Sequence, residues 1–214
     1  MKFPLLIVPA AGRATRMGDL CKDKSKCLLE VNGRPILRHI LDYWSDYADL
    51  IRVVVMPDQV ERVKGWAVYD YDDVLAKPDL LNLPQAIAWT FERGGPQFDN
   101  CVVVLGDCLV RGEFAWDHLT YPYNGIGVTD GDTDFARSYA VQARGGMVGG
   151  VIEKPRLGMG VYFFHHDVMP ILRDADTITG AVATITERVG MKLVPFTGQY
   201  LNITYPIDLE RWPA

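Results

Sequence analysis

Residues 3–12 read FPLLIVPAAG, a continuous apolar run that ends in small residues. A run of this kind, without alternating polar positions, is typical of a central strand in a sheet covered on both faces. It is too short to cross a bilayer, which needs about 20 apolar residues, and it lacks a signal-peptide cleavage pattern. We therefore expect a buried strand in a cytoplasmic α/β protein.

Apolar strands and amphipathic helices alternate through the first half of the chain. This alternation predicts parallel β-α-β units and a Rossmann-like, three-layer α/β/α fold, in which ligands lie at the carboxyl ends of the strands. The predicted elements are a helix from Pro35, a strand over 51–56, a short helix over 58–66, a helix from Pro84 to Gly94 and a strand over 101–107.

The pattern changes after about residue 107, where segments joined by glycine-rich turns indicate further strands. These segments are GIGVTDG (125–131), SYAVQARGGMVGGVIEK (138–154) and GMGVYFFHH (158–166). Helices resume near Val168 and Ile178, and a last strand is expected near Lys192. The chain thus predicts a mixed, mostly parallel central sheet in one domain, residues 1–214.

Composition narrows the class of function. Hydrophobic residues make up 49% of the 214 residues and charged residues 23%, as in ordinary globular proteins. Lys and Arg number 22 against 27 Asp and Glu, so the net charge of -5 provides no basic surface for nucleic acid. A single phosphorylated ligand remains compatible with this charge. The four cysteines form no C-x-x-C pair and are expected to be free thiols.

The loop after the first strand, PAAGRATRMGDLCKDKSKCLLEV (9–31), combines small residues with cations. Small side chains let backbone N–H groups approach a ligand, and cations at a strand end can hold a polyphosphate. The loop is neither a Walker motif nor a dinucleotide fingerprint. A solvated basic loop beside a tight turn is an equally good interpretation of these residues alone. The cations are Arg13, Arg16, Lys22, Lys24 and Lys26.

Three blocks of this region, AAGRATRM, SKCLLEV and GRPIL, resemble the A-A-G-x-G-T-R-M, P-K-x-L-L-x-V and G-x-P-I-L blocks of the sugar-phosphate nucleotidyltransferase family. Two positions depart from that pattern. Ala14 stands where the family usually has its second glycine, and Ser25 stands where it usually has proline. The resemblance implies a nucleotide-diphospho-sugar transferase-like fold, with residues 1–110 as the nucleotide-binding half and 111–214 as the acceptor-binding half.

Later blocks extend the resemblance over nearly the whole chain. VVVLGDCL and YLNITYPIDLERW resemble the blocks that bind Mg²⁺, here through Asp107 and Asn202, and VIEKP resembles the acceptor-facing block, with Glu153 and Lys154. Taken singly, Asp107 is better explained as a capping or turn aspartate, and its companion blocks reverse that preference. Asn202 is compatible with a cap or turn, and the Glu153–Lys154 pair equally with a solvated surface.

The resemblance implies that an acceptor phosphate attacks the α-phosphorus of a nucleoside triphosphate and releases pyrophosphate with Mg²⁺. It places Arg16 on the leaving pyrophosphate, Lys26 near the reaction centre and Lys154 on the acceptor, a sugar 1-phosphate or a compound such as phosphocholine. Base recognition falls to the backbone of residues 10–12 and to the stretch AKPDLLNLPQAIAW (76–89), where Lys77 and Asn82 stand at positions that resemble the family's base-contacting pair. The further site residues that it implies are Ala10, Ala11, Gly12, Arg13, Lys77 and Asn82 for the nucleotide, and Tyr139 and Glu153 for the acceptor.

Two other functions remain open from the residues: a glycosyltransferase that consumes a nucleotide-sugar, and a non-catalytic subunit that senses nucleotides. Two further motifs suggest metal binding but are expected not to provide it. The DGDTD turn (130–134) lacks the later ligands of a calcium loop. His165 and His166 would point to opposite faces if both lay on one strand.

Overall fold

The computed structural model describes residues 1–22, 24–66, 73–93, 98–129, 140–141, 143–144, 146–148 and 156–213. The helices are α1 (Ile36–Trp44), α2 (Val60–Trp66), α3 (Leu83–Glu92), α4 (Met169–Asp174) and α5 (Ile178–Arg188). The strands are β1 (Phe3–Pro9), β2 (Glu30–Val31), β3 (Arg34–Pro35), β4 (Ala48–Val55), β5 (Asp73–Ala76), β6 (Asn100–Val104), β7 (Cys108–Phe114), β8 (Gly125–Thr129), β9 (Ala140–Val141), β10 (Ala143–Arg144), β11 (Met147–Val148), β12 (Arg156–His165) and β13 (Lys192–Asn202).

The main sheet is mixed, as the sequence predicts. Its order from one edge is β10-β11-β13-β8-β12-β6-β1-β4-β5, with β7 paired to β13 and β9 to β12. From β13 to β5, four of the six neighbouring pairs are parallel. The antiparallel strand β12 lies between β6 and β8 and joins the two halves of the chain into one continuous sheet.

Helices cover both faces of the sheet, which confirms the predicted three-layer arrangement. On β1, Leu6 and Val8 belong to the core that includes α1, because alternate side chains of a strand point to opposite faces. Leu5 and Ile7 belong to the core on the other face, with side chains of α3, α4 and α5. The first strand is therefore buried on both sides, as its unbroken apolar run predicts.

Two strands of the main sheet were not expected from the sequence, and neither was the separate β2–β3 hairpin. β5 is a four-residue edge strand that pairs only with β4 among the described residues, and its surroundings YDYDDVLAK are too polar to indicate it. β7 (CLVRGEF) contains two charged residues and a glycine, so its pattern is weak. It begins directly after Asp107 and pairs antiparallel with β13 along seven residue pairs. This pairing brings the two predicted metal-binding blocks side by side.

The β7–β13 pair depends on two facing glycines. Gly112 and Gly198 are register partners, with φ angles of +153° and +143° that side-chain-bearing residues rarely adopt. A Cβ on Gly198 would lie 2.3 Å from the carbonyl oxygen of Arg111 and 2.7 Å from the Cα of Gly112. Glycine at both positions lets the two strands approach closely.

Gly198→Ala is expected to lower the free energy of unfolding by about 1–3 kcal/mol, as overpacking in a close-packed region does. Gly65→Ala is the matched control. Gly65 lies in α2, and a Cβ added there would have nothing within 4 Å, so alanine should be neutral or stabilise by up to about 1 kcal/mol. Urea denaturation of both variants and the wild type measures the difference. Equal unfolding midpoints for the two variants would contradict the close approach of β7 and β13 at Gly112 and Gly198.

Candidate active site

A cavity of about 660 Å³ lies at the carboxyl ends of β1, β4 and β6. These three strands are parallel, so their ends meet at one edge of the sheet, where α/β proteins bind ligands. Eight of the residues that the sequence assigns to the site line this cavity: Ala10, Ala11, Gly12, Arg13, Lys26, Lys77, Asn82 and Asp107.

The loop after β1 is held against β4 and the end of β6 by backbone contacts. The Ala10 N–H donates to the Val54 carbonyl at 2.7 Å, and the Gly106 N–H donates to the Pro9 carbonyl at 3.1 Å. A Cβ on Gly106 would lie 2.8 Å from the Cβ of Ala10. Small residues are therefore needed on both sides for the two loops to meet.

Ala14 adopts a left-handed conformation, with φ 47° and ψ 34°. In this region alanine is disfavoured by about 1–2 kcal/mol relative to right-handed conformations. Ala14 therefore adopts a conformation that glycine, the usual residue of the family pattern, takes without strain. The alanine takes it at some cost in backbone strain.

Ser25, the other departure from the family pattern, is buried and tied to the loop after β1. Its hydroxyl donates to the Ala10 carbonyl at 3.3 Å, and its backbone N–H donates to the Gln59 side chain at 3.1 Å. Proline has no N–H and no hydroxyl, so it could make neither contact. These two hydrogen bonds fix the backbone just before Lys26, whereas a proline would fix it through its ring.

Lys26 joins three distant segments of the chain. Its ammonium nitrogen lies 2.5 Å from Asp107 Oδ2 and donates to the Ile203 carbonyl at 3.0 Å. The Ile203 N–H in turn donates to the Asp107 carbonyl at 2.8 Å. The lysine and aspartate side chains are only 19% and 24% exposed, so solvent screens the pair less than it would a surface pair.

Asn202 lies beside this pair, although it is not among the residues that line the cavity. It is the register partner of Cys108, the residue after Asp107, and it directly precedes Ile203. Its Oδ1 accepts a hydrogen bond from the Thr204 hydroxyl at 3.4 Å. The strand pairing therefore brings two predicted metal ligands, far apart in sequence, to neighbouring positions.

The donor chemistry here suits a hard divalent cation. Asp107 and Asn202 offer carboxylate and amide oxygens, which Mg²⁺ prefers, and one or two protein oxygens commonly suffice because phosphates and water complete the shell. The Lys26 ammonium lies between oxygens of Asp107 and Ile203, so these oxygens favour positive charge between the two segments. The residues present fit a magnesium ion.

Behind Asp107 lies a buried thiol that the sequence analysis did not single out. The Cys108 S–H donates to Asp107 Oδ1 at 3.5 Å, and its sulfur lies 3.6 Å from the Tyr200 hydroxyl. Burial, followed by the nearby Asp107 charge, raises the pKa of Cys108 well above its ordinary value. Burial likewise raises the pKa of Cys27, which lines the cavity, to about 11. All four cysteines are free, as predicted.

Lys77 and Asn82 line the cavity, but their polar atoms already have partners within the protein. The Lys77 ammonium donates to three carbonyls, those of Pro78, Asp79 and Leu81, at 2.9, 3.5 and 2.7 Å. It therefore fixes the loop that leads into α3.

Asn82 is the N-cap of α3 and forms a capping box with Gln85. Its Oδ1 accepts from the Gln85 N–H at 3.1 Å, and its Nδ2 donates to the Ala175 carbonyl at 3.0 Å. The helix accordingly begins at Leu83, one residue before the predicted Pro84. Both Asn82 contacts stabilise the cavity wall.

The two arginines of the early loop are placed differently. Arg13 lines the cavity, whereas Arg16 does not. Arg16 is exposed on the 3₁₀ segment Thr15–Cys21, which is kinked at Gly18. Three predicted acceptor residues, Tyr139, Glu153 and Lys154, lie outside the described residues, as does the DGDTD turn.

The histidine pair departs from expectation. β12 ends at His165, and His166 begins the 3₁₀ segment His166–Val168, so the prediction that they point to opposite faces is wrong. Their ring centroids are 4.1 Å apart, and the Asp167 carboxylate lies within 3.1 Å of both rings. His165 also contacts the Tyr121 hydroxyl and caps this turn. Since His165 pairs with Asn100 at the start of β6, the cluster lies at the opposite edge from Asp107.

Comparison with known proteins gives one family. A model described as the MobA-like NTP transferase domain matches residues 6–119, just over half of the chain. That range begins within β1 and includes Lys26, Lys77, Asn82 and Asp107.

A shorter match is to the UTP–glucose-1-phosphate uridylyltransferase of Haloferax volcanii, 39% identical over 67 residues. The match covers 31% of this chain and 26% of that protein, so the chain spans about a quarter of the length of this curated relative.

Two solved structures share the fold at low sequence identity. The inositol-1-phosphate CTP transferase from T. maritima is 14% identical with a TM-score of 0.78, over 97% of this chain and 92% of that one. A UDP-glucose pyrophosphorylase complexed with UDP-glucose is 15% identical with a TM-score of 0.78, over 98% and 96%. These likenesses confirm the predicted fold class. None of the helices in the described ranges has the length and apolar content that a bilayer crossing requires.

Lys77→Met is expected to speed amide hydrogen exchange in residues 79–82 by about 5-fold, the equivalent of roughly 1 kcal/mol of lost hydrogen bonding. Methionine keeps the length of the side chain but cannot donate to the three carbonyls. Lys64→Met is the control, since the Lys64 ammonium contacts the exposed Glu61 on the same helix. Exchange mass spectrometry measures both, and unchanged exchange in Lys77→Met would show that the loop does not depend on the ammonium.

Proposed function

This chain belongs to the MobA-like NTP transferase family, and we propose that it transfers a nucleoside monophosphate from a nucleoside triphosphate to a phosphorylated small molecule, releasing pyrophosphate. The observation that carries the proposal is the cavity that gathers the loop of residues 10–13, Lys26 and Asp107 at one sheet edge. Few arrangements other than a phosphate site need small backbone-exposing residues, cations and a metal-binding carboxylate together.

In this proposal Asp107 and Asn202 hold a magnesium ion. When bound, the ion offsets negative charge on the phosphates of the nucleotide. The support for this pair is that Asp107 directly precedes Cys108, the register partner of Asn202, and that both side chains carry an oxygen of the kind that Mg²⁺ prefers.

The reaction then needs positioning and charge rather than a strong base. An oxygen of the acceptor phosphate forms a bond to the α-phosphorus, and the bond from that phosphorus to the bridging oxygen breaks, leaving its electron pair on pyrophosphate. The acceptor phosphate is ionised already, so no protein group has to remove a proton. In such reactions orientation and electrostatic stabilisation supply most of the rate enhancement.

Each cation has a proposed part in that stabilisation. Lys26 lies nearest the carboxylate and is assigned to the phosphates at the reaction centre. Arg16 is exposed on the loop and is assigned to the leaving pyrophosphate, with Arg13 on the nucleotide side. Lys154 is assigned to the acceptor phosphate.

The nucleotide base is proposed to lie between the backbone of residues 10–12 and the wall of the cavity that Lys77 and Asn82 hold in place. Apolar side chains of that wall, including Leu81, Leu83 and Ala86, offer a surface for a planar base. Because the polar atoms of Asn82 cap α3, the backbone of residues 10–12 is the proposed source of hydrogen bonds to the base.

A sugar 1-phosphate or a phosphocholine-like compound is the proposed acceptor, with Glu153 and Tyr139 toward its polar groups. The names of the similar proteins support this class, since they mention glucose 1-phosphate, inositol 1-phosphate and UDP-glucose. Each is a ring with several hydroxyl groups and a phosphate ester or its nucleotide-linked form.

Pyrophosphate release is the direct test. Wild-type protein mixed with Mg²⁺, one of the common triphosphates and a candidate acceptor should release pyrophosphate only when the acceptor is present. A glycosyltransferase would instead consume a nucleotide-sugar without pyrophosphate. A nucleotide-sensing subunit would bind the triphosphate without turnover. Absence of acceptor-dependent release with every combination would refute the proposal.

Asp107→Ala and Lys26→Ala should each reduce turnover by at least ~10²-fold, because each removes a charged group that acts on the transition state. Asp49→Ala and Lys2→Ala are matched controls, since Lys2 and Asp49 also form a lysine–aspartate ion pair, at 2.7 Å, but both side chains are exposed. The controls should keep near-wild-type turnover in the same steady-state assay. Near-wild-type turnover in the Asp107 or Lys26 variant would remove these roles.

A further inference from the structure

Three groups form a partly buried chain of hydrogen bonds that ends on Asp107. The Gly160 N–H donates to the Tyr200 hydroxyl at 3.2 Å, the hydroxyl lies 3.6 Å from the Cys108 sulfur, and the Cys108 S–H donates to Asp107 Oδ1 at 3.5 Å. We call this chain of contacts the thiol relay.

The relay has one consistent direction. An ionised carboxylate only accepts hydrogen bonds, and a backbone N–H only donates. Because the Cys108 hydrogen is directed to Asp107, the Tyr200 hydroxyl donates to the sulfur while it accepts from Gly160. Each donor in the chain therefore points toward the carboxylate, an arrangement in which neighbouring hydrogen bonds strengthen one another.

The residues packed around the relay leave room for the Cys108 sulfur and hold Gly160 in place. Cys108 is fully buried, and a Cβ on Gly160 would lie 2.3 Å from its sulfur, so the sulfur occupies the space that a side chain on β12 would need. The Gly160 carbonyl accepts from the Leu105 N–H at 2.8 Å, which ties the same residue to the segment just before Asp107. The relay is thus fixed at its far end.

The relay ends on one proposed metal ligand and shares a strand face with the other. Tyr200 and Asn202 are two residues apart on β13, so their side chains lie on the same face of the strand. Asp107 Oδ2 is taken by Lys26, whereas Oδ1 is oriented by the thiol. The rotation of the carboxylate is therefore constrained on both oxygens, one from each side.

Resting on the proposed function, we propose that Cys108 and Tyr200 are positioning residues: the thiol relay holds the Asp107 carboxylate in the orientation in which it binds the divalent ion. Neither residue contacts the substrates in this inference. They act through Asp107, as partners of metal ligands commonly do.

Tyr200→Phe removes only the hydroxyl and is expected to weaken Mn²⁺ binding by about 10-fold, within the range for partners of metal ligands. Electron paramagnetic resonance of free Mn²⁺, titrated into the protein without nucleotide, measures the dissociation constant. Asp107→Asn should abolish this binding, which would show that the measured Mn²⁺ ion is the one bound by Asp107. In the pyrophosphate assay, Tyr200→Phe should raise the Mg²⁺ concentration for half-maximal rate by a similar factor and leave the KM for the triphosphate unchanged.

Tyr43→Phe is the matched control. The Tyr43 hydroxyl donates to the Gly112 carbonyl on β7 at 2.9 Å, so this variant also removes one tyrosine hydroxyl bonded to a glycine backbone, away from Asp107. It should bind Mn²⁺ as the wild type does. Equal weakening in Tyr43→Phe and Tyr200→Phe would indicate general loosening of the sheet and would overturn the inference.

A second pair of variants keeps the test independent of whether Tyr200→Phe folds. Cys108→Ala removes the donor to Asp107, whereas Cys108→Ser keeps an O–H donor in its place. Weakened Mn²⁺ binding in the alanine variant with partial recovery in the serine variant supports the relay, and equal binding by both overturns it. Failure of the proposed function would show differently, as wild-type protein that binds Mn²⁺ but releases no pyrophosphate.

Discussion

The ion pair between Lys26 and Asp107 is the contact on which the site depends. The two residues are 81 positions apart in sequence, and Lys26 also bonds to Ile203, a further 96 positions beyond Asp107. The pair is partly buried, so removing one partner would leave a charge that water only partly compensates. The early loop, the end of β6 and the end of β13 meet at this pair.

Much of this arrangement could be predicted from the sequence, because it follows from periodicity and from one rule of α/β folds. The runs that became β1, β4 and β6 are long and apolar, which identifies buried parallel strands. Once they are parallel, their carboxyl ends share an edge, and residues that follow them must lie together. Asp107 and the loop of residues 10–13 are close for this reason, and the structure places both on the cavity.

The remaining features depend on contacts that a single sequence does not indicate. β7 has a weak strand pattern and is stabilised by its pairing with β13, which starts 78 residues after β7 ends. The commitment of Lys77 to three carbonyls and of Asn82 to the α3 cap arises from the fold of one short loop. Cys108 and Tyr200 look like ordinary strand residues, and only the facing strands reveal their contact with Asp107.

The distribution of charge is compatible with the proposed phosphate site in an acidic chain. The net charge is -5, yet Arg13 and Lys26 of the early loop both line the cavity, and a local positive field attracts anions regardless of the total charge. Lys26, the most central of these cations, is already engaged by Asp107. A phosphate that arrives beside Lys26 competes with this carboxylate for the same ammonium. A second cation on Asp107 would relieve that competition, so in the proposed reaction the metal ion and the lysine depend on one another.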